Sequence, residues 1–297
     1  MKIITIIGCG RVGRTLGYLF ARRGVFRVGQ VVNRTPSSSA AACGFIGQGT
    51  PGDLDALDQA DVYLIGVPDD SIADTALALA EKNVIHGGEV VFHCSGSSSS
   101  DILAPLQNRG AQLASVHPVM SVADPRTAVS RFAGTPCGIE GDESACEILR
   151  AAFTAIGGTV FDLTTDRKMF YHAAAVIVCN YLTALLEVGL TCYEHAGIDR
   201  DMAARIIEPI LKSTVDNALK LGTANGLTGP IARGDHRLVG EQHTALDQWN
   251  PDVGEVYRVL GRWALELSRK QGTASDGSLR MLEDILGTSS KGDQHGE

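Results

Sequence analysis

Hydrophobic and polar positions follow two different patterns along the chain. In the first part, short apolar runs such as KIITII, DVYLIGV and EVVFHCS alternate with segments of helical spacing, and the last such run is GTVFDL. Strands that alternate with helices at this spacing predict parallel strands joined by right-handed crossovers. Residues 1–164 are therefore predicted to form an α/β domain with a doubly wound sheet.

From residue 165 onward the apolar positions show only helical spacing. Residues 165–287 are therefore predicted to form an all-α domain, and the small polar residues 288–297 a flexible tail. The segment AAAVIVCNYLTALL is apolar on nearly every side, which predicts a helix buried all round. Two burials fit this pattern: the axis of one chain's second domain, or the interface of a homodimer.

Composition and charge argue against several classes of protein and of binding partner. The 297 residues carry 26 basic and 34 acidic side chains, a net charge of −8, which argues against nucleic acid as the main partner. Seven scattered cysteines without a CxxC pair indicate reduced thiols. The sequence lacks a signal-peptide core, an uninterrupted apolar stretch of membrane-spanning length and metal-ligand histidine spacing. A cytoplasmic protein without a membrane or metal partner is expected.

The clearest motif follows the first predicted strand. In GCGRVG, Gly8 permits a tight turn, Gly10 lets a pyrophosphate approach the main chain, and Gly13 allows close packing of helix on strand. The helix would start at Arg11 and Val12, whose N–H groups face the anion. The first domain is therefore predicted to be a dinucleotide-binding Rossmann domain.

The end of the second predicted strand indicates which dinucleotide binds. A carboxylate at this place would hydrogen-bond the ribose hydroxyls of NAD, whereas this chain has Asn33 and Arg34 there. Asn33 can donate to a phosphate, and Arg34 can pair with it and stack on adenine. NADP(H) is therefore predicted as the cofactor.

Later strand ends supply candidates beside the nicotinamide, because ligands bind at the carboxyl ends of strands in such sheets. Val67 and Pro68 follow the fourth strand and are predicted to contact the cofactor. Ser95, for the cofactor, and Gly96, for the substrate, follow the fifth strand. His117 lies at the end of another predicted strand. Two interpretations of it are open, a catalyst or a structural histidine.

Seven segments together resemble one family: GCGRVG, NRT, VPDD, HCSG, SVHPVMS, DRKMFYHAAAVIVCNYL and LTGPIARGD. The chain resembles Rossmann-like NADP-binding oxidoreductases with a helical C-terminal domain of unassigned function. That family is related to the 6-phosphogluconate and 3-hydroxyacid dehydrogenases and includes alternative-type ketopantoate reductases. The resemblance implies an NADP-dependent reduction and a homodimer built from the helical domain.

The resemblance also implies catalytic residues. In the 3-hydroxyacid dehydrogenase relatives a lysine on the first helix of the second domain handles the substrate proton, with an asparagine four residues later. Lys168 matches that lysine, but His172 stands in place of the asparagine. One helical turn apart, Lys168 and His172 share a face, where each positive charge would lower the other's pKa. Asn180 is a substrate-binding candidate whose rotation of about 80° need not place it on that face.

The segment TGPIARGD offers a cradle for a substrate carboxylate. The main-chain N–H groups of the next helix and the guanidinium of Arg233 would bind the anion. Asp235 is assigned to the same substrate site, although capping the helix is its expected role.

Three functions remain open from the sequence. The first is an NADPH-dependent reductase of a small 2-oxo acid, with 2-dehydropantoate (ketopantoate) as the preferred substrate. The second is an oxidoreductase of the same fold that acts on a cyclic imine such as pyrroline-5-carboxylate, or on a prephenate-like acid. The third is a non-catalytic NADP sensor, disfavoured because a sensor needs no ionisable side chains beside the nicotinamide.

Overall fold

A computed structural model describes residues 1–82 and 84–287 of the chain. The predicted flexible tail, residues 288–297, lies outside the described residues. By packing, the chain divides into two compact units, the first spanning Met1–Tyr181 and the second starting at Leu182. The last strand ends at Asp162 and the described residues from Thr165 to Leu286 form helices and their connecting turns.

The first unit is built on one eight-stranded sheet with the order β3-β2-β1-β4-β5-β6-β7-β8. Its strands are β1 Ile3–Ile7, β2 Arg27–Val32, β3 Thr50–Pro51, β4 Val62–Ile65, β5 Val90–His93, β6 Gln112–Pro118, β7 Pro136–Gly141 and β8 Thr159–Asp162. The order reverses direction at β1, so the sheet is doubly wound, as the sequence predicts.

Helices of the first unit cover both faces of this sheet. They are α1 Arg11–Arg22, α2 Pro36–Ile46, α3 Ile72–Glu81, α4 Ala104–Gln107, α5 Pro125–Arg131, α6 Glu143–Ala155 and α7 Lys168–Val176. Two apolar clusters result, because successive strand residues point to opposite faces. Ile4 and Ile6 join one cluster with Phe92 and Phe153, whereas Ile7 joins the other with Tyr63.

Two strands, β7 and β8, run against the prediction of an all-parallel sheet. Strand β7 pairs antiparallel with β6 and parallel with β8. This reversed pairing sets Glu140 opposite Ser115 and Gly138 opposite His117. An antiparallel neighbour needs no crossover helix, and the loop and the short α5 between β6 and β7 suffice to return the chain.

The second unit is helical throughout its described residues. Its helices are α8 Leu182–His195, α9 Arg200–Leu221, α10 Thr223–Gly226, α11 Pro230–Arg233, α12 His236–Trp249, α13 Pro251–Gln271 and α14 Asp276–Leu286. Asp199 caps α9 by accepting a hydrogen bond from the Met202 N–H at 3.0 Å, and Pro209 lies within that helix. Val239, Leu265 and Leu282 form the centre of its small core.

Among the described residues the apolar helical run Thr165–His195 is not buried all round, which contradicts one of the two predicted burials, the axis of one chain's second domain. Phe170 is 81% exposed and Val178 65% exposed. The run consists of α7, a π-helical turn at Ile177–Tyr181 and α8. By length and composition alone it could cross a membrane, but one such helix is weak evidence, because helices of soluble proteins pass the same test. Within the described part of the chain, these apolar side chains stay exposed.

Candidate functional site

The glycine turn, residues 8–13, has the geometry that dinucleotide binding requires. Gly8 has a φ of +83°, and a Cβ added there would lie 2.5 Å from the Val67 nitrogen. A Cβ on Gly10 would meet nothing within 4 Å, which leaves its main chain open to a ligand. A Cβ on Gly13 would lie 3.2 Å from the Gly8 oxygen, so this glycine brings α1 close to β1.

Side chains at the end of β2 complete this turn. The Asn33 Oδ1 accepts a hydrogen bond from the Cys9 N–H at 2.7 Å, so Asn33 holds the turn itself in addition to its predicted role toward phosphate. Arg34 is exposed directly after it. The next residue, Thr35, caps α2 by accepting from the Ser38 N–H at 3.2 Å. The structure thus presents a guanidinium and hydroxyls, without a carboxylate among residues 33–39.

The remaining predicted cofactor residues flank the turn. Arg11 and Val12 start α1, and its first turn carries no acidic side chain, which leaves the positive end of the helix dipole available to an anion. Val67 packs against Gly8, and Pro68 precedes a short 3₁₀ turn at Asp69–Ser71. These positions fit a bound dinucleotide: an open main chain, a helix N-terminus and an apolar wall.

We call residues 95–100 the serine loop. The hydroxyl and the main-chain N–H of its first residue, Ser95, form hydrogen bonds with other groups of the protein. The Ser95 hydroxyl donates to Asp69 Oδ2 at 2.6 Å and accepts from the N–H groups of Ser97 and Ser98. The Ser95 N–H donates to His93 Nδ1 at 3.1 Å. Ser95 therefore shapes the loop, and its contact with the cofactor stays a prediction.

His93 holds the same loop from beneath. It is fully buried, and because its Nδ1 accepts from Ser95, its Nε2 carries the hydrogen and donates to the Ser99 carbonyl at 3.1 Å. Burial, followed by the charge of Lys168, lowers the pKa of His93 to about 4. The imidazole is therefore neutral at pH 7 and acts as a fixed structural connector.

Lys168 is 1% exposed and lies under the far end of the serine loop. Its Nζ donates to the Ser98 carbonyl, to the Ser115 hydroxyl and, at 3.0 Å, to Glu140 Oε1. Glu140 in turn accepts from the Ser100 N–H at 2.9 Å and from the Ser100 hydroxyl at 2.8 Å. The buried ion pair thus joins the loop to β6 and β7.

These contacts correct the predicted role of Lys168. An ammonium has three hydrogens, and all three are directed at protein acceptors, so Lys168 is a positioning residue and not a free acid facing the substrate. Its pKa is lowered mainly by burial, and Glu140 opposes that shift. The predicted cause, mutual repulsion with His172, is therefore wrong.

His172 and His117 instead converge on Gly96. A Cβ on Gly96 would lie 2.3 Å from His172 Nδ1 and 2.9 Å from His117 Nε2, so only glycine fits between the two rings. The rings meet edge to face with centroids 5.7 Å apart. His172 Nδ1 is buried without a hydrogen-bond partner in the described structure. A ligand atom beside Gly96 would find two imidazoles.

A tyrosine completes this group. The Tyr171 hydroxyl lies 2.9 Å from His117 Nδ1, and the rings meet edge to face. Burial lowers the pKa of His117 to about 4, with smaller contributions from His172 and Lys168, and burial raises the pKa of Tyr171 to about 12. At pH 7 His117 is therefore neutral and Tyr171 keeps its proton.

The predicted substrate residues outside this group have different surroundings. Asn180 is exposed in the π-helical turn, unlike the buried Lys168, and its contact with the substrate stays a prediction. In the second unit, Arg233 forms an ion pair with Asp235, Nε to Oδ2, at 2.9 Å. Asp235 occupies the N-cap of α12 without a capping hydrogen bond from its side chain, so its expected role as a cap is wrong.

Comparison with known families identifies the two halves of the chain. A Rossmann-like domain model matches residues 2–118, and the domain of unknown function DUF2520 matches residues 135–264. The chain belongs to the Rossmann-like proteins with a DUF2520 domain. The expected family is thereby confirmed, and of the residues grouped around Gly96, His117 lies in the first match with Gly96 itself, and Tyr171 and His172 lie in the second.

Solved structures with the same fold align with nearly the whole length of this chain. The protein TM1727 from Thermotoga maritima is 25% identical, with a TM-score of 0.72, and the match covers 91% of this chain and 99% of that one. A proposed NADP oxidoreductase, BF3122 from Bacteroides fragilis, is 20% identical, with a TM-score of 0.70 and coverages of 91% and 97%. An imine reductase variant from Myxococcus stipitatus, in complex with NAD+, is 18% identical, with a TM-score of 0.61 and coverages of 95% and 99%.

Four residues of this site were not predicted from the sequence: Asp69, His93, Glu140 and Tyr171. Three of them lay inside quoted motifs, since Asp69 belongs to VPDD, His93 to HCSG and Tyr171 to DRKMFYHAAAVIVCNYL. Tyr171 directly precedes a predicted catalytic histidine, which could have indicated it. Glu140 carries no such signal, because only the reversed β7 places this carboxylate beside Lys168.

Proposed function

We propose that this protein is an NADPH-dependent oxidoreductase that reduces a small 2-oxo acid, with 2-dehydropantoate as the first substrate to test. One observation carries the proposal: the glycine turn after β1 and Gly96 after β5 lie at the same carboxyl edge of one sheet, separated by the end of β4. Val67 packs on Gly8, Asp69 bonds Ser95, and Gly96 lies between His117 and His172. Cofactor and proton-transfer groups thus meet at one edge.

The residues divide the chemistry as follows. The glycine turn and the start of α1 hold the pyrophosphate, and Arg34 binds the 2′-phosphate that distinguishes NADPH from NADH. When bound, the reduced nicotinamide supplies the hydride. Val67 and Pro68 shield it from water, and His117 Nε2, beside Gly96, protonates the developing alkoxide. His172 Nδ1 serves as a second polar contact for the same oxygen.

The substrate carboxylate is assigned to Arg233 as a proposal that follows from the family resemblance. Arg233 is exposed and shares its charge with Asp235, so it can exchange that partner for a ligand carboxylate at low cost.

Reduction of a C=N bond is the second candidate. The likeness to the imine reductase, which covers 95% of this chain, favours it. An imine needs the same hydride and a nearby proton, so the group at Gly96 suits both reactions. The difference lies in the substrate, and a cyclic imine with a carboxylate would use the same contacts.

The test is to follow the loss of reduced nicotinamide by absorbance, with 2-dehydropantoate, other small 2-oxo acids, pyrroline-5-carboxylate and related imines, each with NADPH and with NADH. Turnover of a 2-oxo acid with NADPH well above NADH supports the proposal. Turnover of imines alone moves the assignment to the second candidate. Tight NADPH binding without turnover on the whole panel favours a sensor.

We further propose that the protein is a cytoplasmic homodimer whose interface covers the run Thr165–His195. The exposed apolar side chains of that run include Phe170, Ile177 and Val178, and such a surface is unfavourable in water. Light scattering on the eluting protein should give twice the chain mass of 31.4 kDa. A monomer, or extraction only with detergent, would contradict this proposal.

A further inference from the structure

We propose that Tyr171 fixes the ring tautomer of His117 and, through it, supplies the proton for the reduction, so that Tyr171 is a positioning residue of the active site. This inference rests on the proposed function and assigns a residue to its proton path. Its basis is the contact between the Tyr171 hydroxyl and His117 Nδ1, at 2.9 Å.

The direction of this hydrogen bond follows from the groups within reach. Among the described residues, His117 Nδ1 is the acceptor that the Tyr171 hydroxyl contacts. A phenol is a stronger acid than a neutral imidazole N–H, and the unprotonated imidazole nitrogen is the stronger base, so we assign Tyr171 as the donor to Nδ1. A neutral imidazole carries a single N–H, which therefore resides on Nε2. That nitrogen is the one beside Gly96, where a Cβ would come within 2.9 Å of it.

Proton balance explains why a partner is needed. Because His117 has its pKa lowered to about 4, it holds no second proton to give at pH 7. When the carbonyl carbon gains a hydride, the carbonyl oxygen takes the Nε2 proton, and Nδ1 takes the hydrogen of the Tyr171 hydroxyl. The phenolate regains a proton from water, which reaches the half-buried Tyr171. One hydride and one proton are consumed, and His117 then carries its hydrogen on Nδ1. The starting tautomer returns when Nε2 takes a proton from water and Nδ1 releases its hydrogen to water.

Surrounding contacts hold the two rings in place for this transfer. Tyr171 packs edge to face on Phe161 as well as on His117, with ring centroids 6.1 Å and 5.6 Å apart. His117 lies opposite Gly138 in the antiparallel pair, and Gly138 itself brings no side chain to that position. Tyr171→Phe would preserve these ring contacts and remove only the hydroxyl.

The experiment compares Tyr171→Phe with Tyr181→Phe, a control that removes a hydroxyl from an exposed tyrosine of the same helical run. Tyr171→Phe should lower kcat roughly 10- to 100-fold with KM and NADPH affinity unchanged, whereas Tyr181→Phe should keep wild-type kcat. In the His117→Gln background, Tyr171→Phe should have little further effect, since its role passes through His117.

A measurement without substrate separates this inference from the proposed function. Nitrogen NMR of ¹⁵N-histidine-labelled protein, with His117 assigned from the His117→Gln variant, should show the hydrogen on Nε2 in the wild type and a mixture of tautomers in Tyr171→Phe. An unchanged tautomer, or an unchanged kcat in an active enzyme, overturns the inference and leaves the function standing. Absence of turnover in the wild type overturns the function, and the NMR result still decides the tautomer.

Discussion

The glycine turn and the serine loop lie at the same edge of the sheet, but they are stabilised in opposite ways. The turn consists of main chain within residues 8–13, joined by one amide from Asn33. The serine loop is held by charged or polar side chains from four separate segments, at Asp69, His93, Glu140 and Lys168. A local turn depends on backbone conformation, whereas the assembled loop depends on every partner that reaches it.

Loss of Lys168 should give the largest effect and shows how far the serine loop depends on one partner. Lys168→Met leaves the Glu140 carboxylate buried without its cation, which should cost about 3–5 kcal/mol of unfolding free energy. The serine loop loses its Ser98 contact as well, so activity should fall by orders of magnitude. Urea unfolding and turnover measure the two effects.

The matched control is Lys82→Met, because Lys82 forms an ion pair with Asp55 whose carboxylate is 83% exposed. That exposed pair should have a small effect on unfolding. Equal destabilisation by both variants would show that the buried ion pair stabilises the fold no more than the exposed one. Wild-type turnover in Lys168→Met would remove the lysine from the organisation of the site.

Lowering the pH should destabilise the serine loop, and we expect this to be the second largest effect. His93 and His117 both have pKa values of about 4 when folded, against 6.5 ordinarily, so between pH 6.5 and 4 the unfolded chain binds protons that the folded chain refuses. Stability present above pH 6.5 is therefore lost as the pH falls, by about 3 kcal/mol for the fully buried His93 at pH 4.

A series of unfolding curves from pH 7 to pH 4 measures this loss. His93→Gln should show a shallower decline with pH than the wild type, whatever its stability at pH 7. Parallel declines in the two proteins would mean that His93 does not titrate as a buried neutral group.

The sequence predicted the turn well and the loop only in part, for a physical reason. Gly8, Gly10 and Gly13 act through their own backbone within six residues, so spacing alone conveys their geometry. Lys168 and Ser98 are 70 positions apart, and Lys168 and Glu140 are 28 apart, so their contacts exist only after the sheet forms. Helical spacing placed Lys168 and His172 on one face but could not show which partners each would meet.

At the turn, Arg34→Ala should change cofactor preference without changing the fold. Loss of a charge-assisted bond to the 2′-phosphate should weaken NADPH binding about 10- to 100-fold and leave NADH binding nearly constant. Calorimetric titration with both cofactors measures the ratio. Arg22→Ala, at the distant end of α1, is the control. Equal losses for the two cofactors would contradict a 2′-phosphate contact.

The smallest effect should separate binding from folding within the turn itself. Gly10→Ala adds a Cβ to open space, so stability should hold while NADPH affinity falls roughly tenfold because the pyrophosphate can no longer approach. Gly8→Ala forces a φ of +83° on alanine and meets the Val67 nitrogen, so it should destabilise the fold as well. Thermal melts and cofactor titrations distinguish them, and identical behaviour would refute the separate roles.

The buried partnership of Lys168 with Glu140 also constrains how this sequence can diverge. Replacing Lys168 by a neutral residue leaves the Glu140 carboxylate buried without a cation. Replacing Glu140 by a neutral residue leaves the Lys168 ammonium buried without an anion. Single steps are therefore disfavoured although a double replacement is tolerable, which is epistasis between two positions. Related chains should keep or change positions 140 and 168 together, and a collection of relatives in which the two vary independently would refute that coupling.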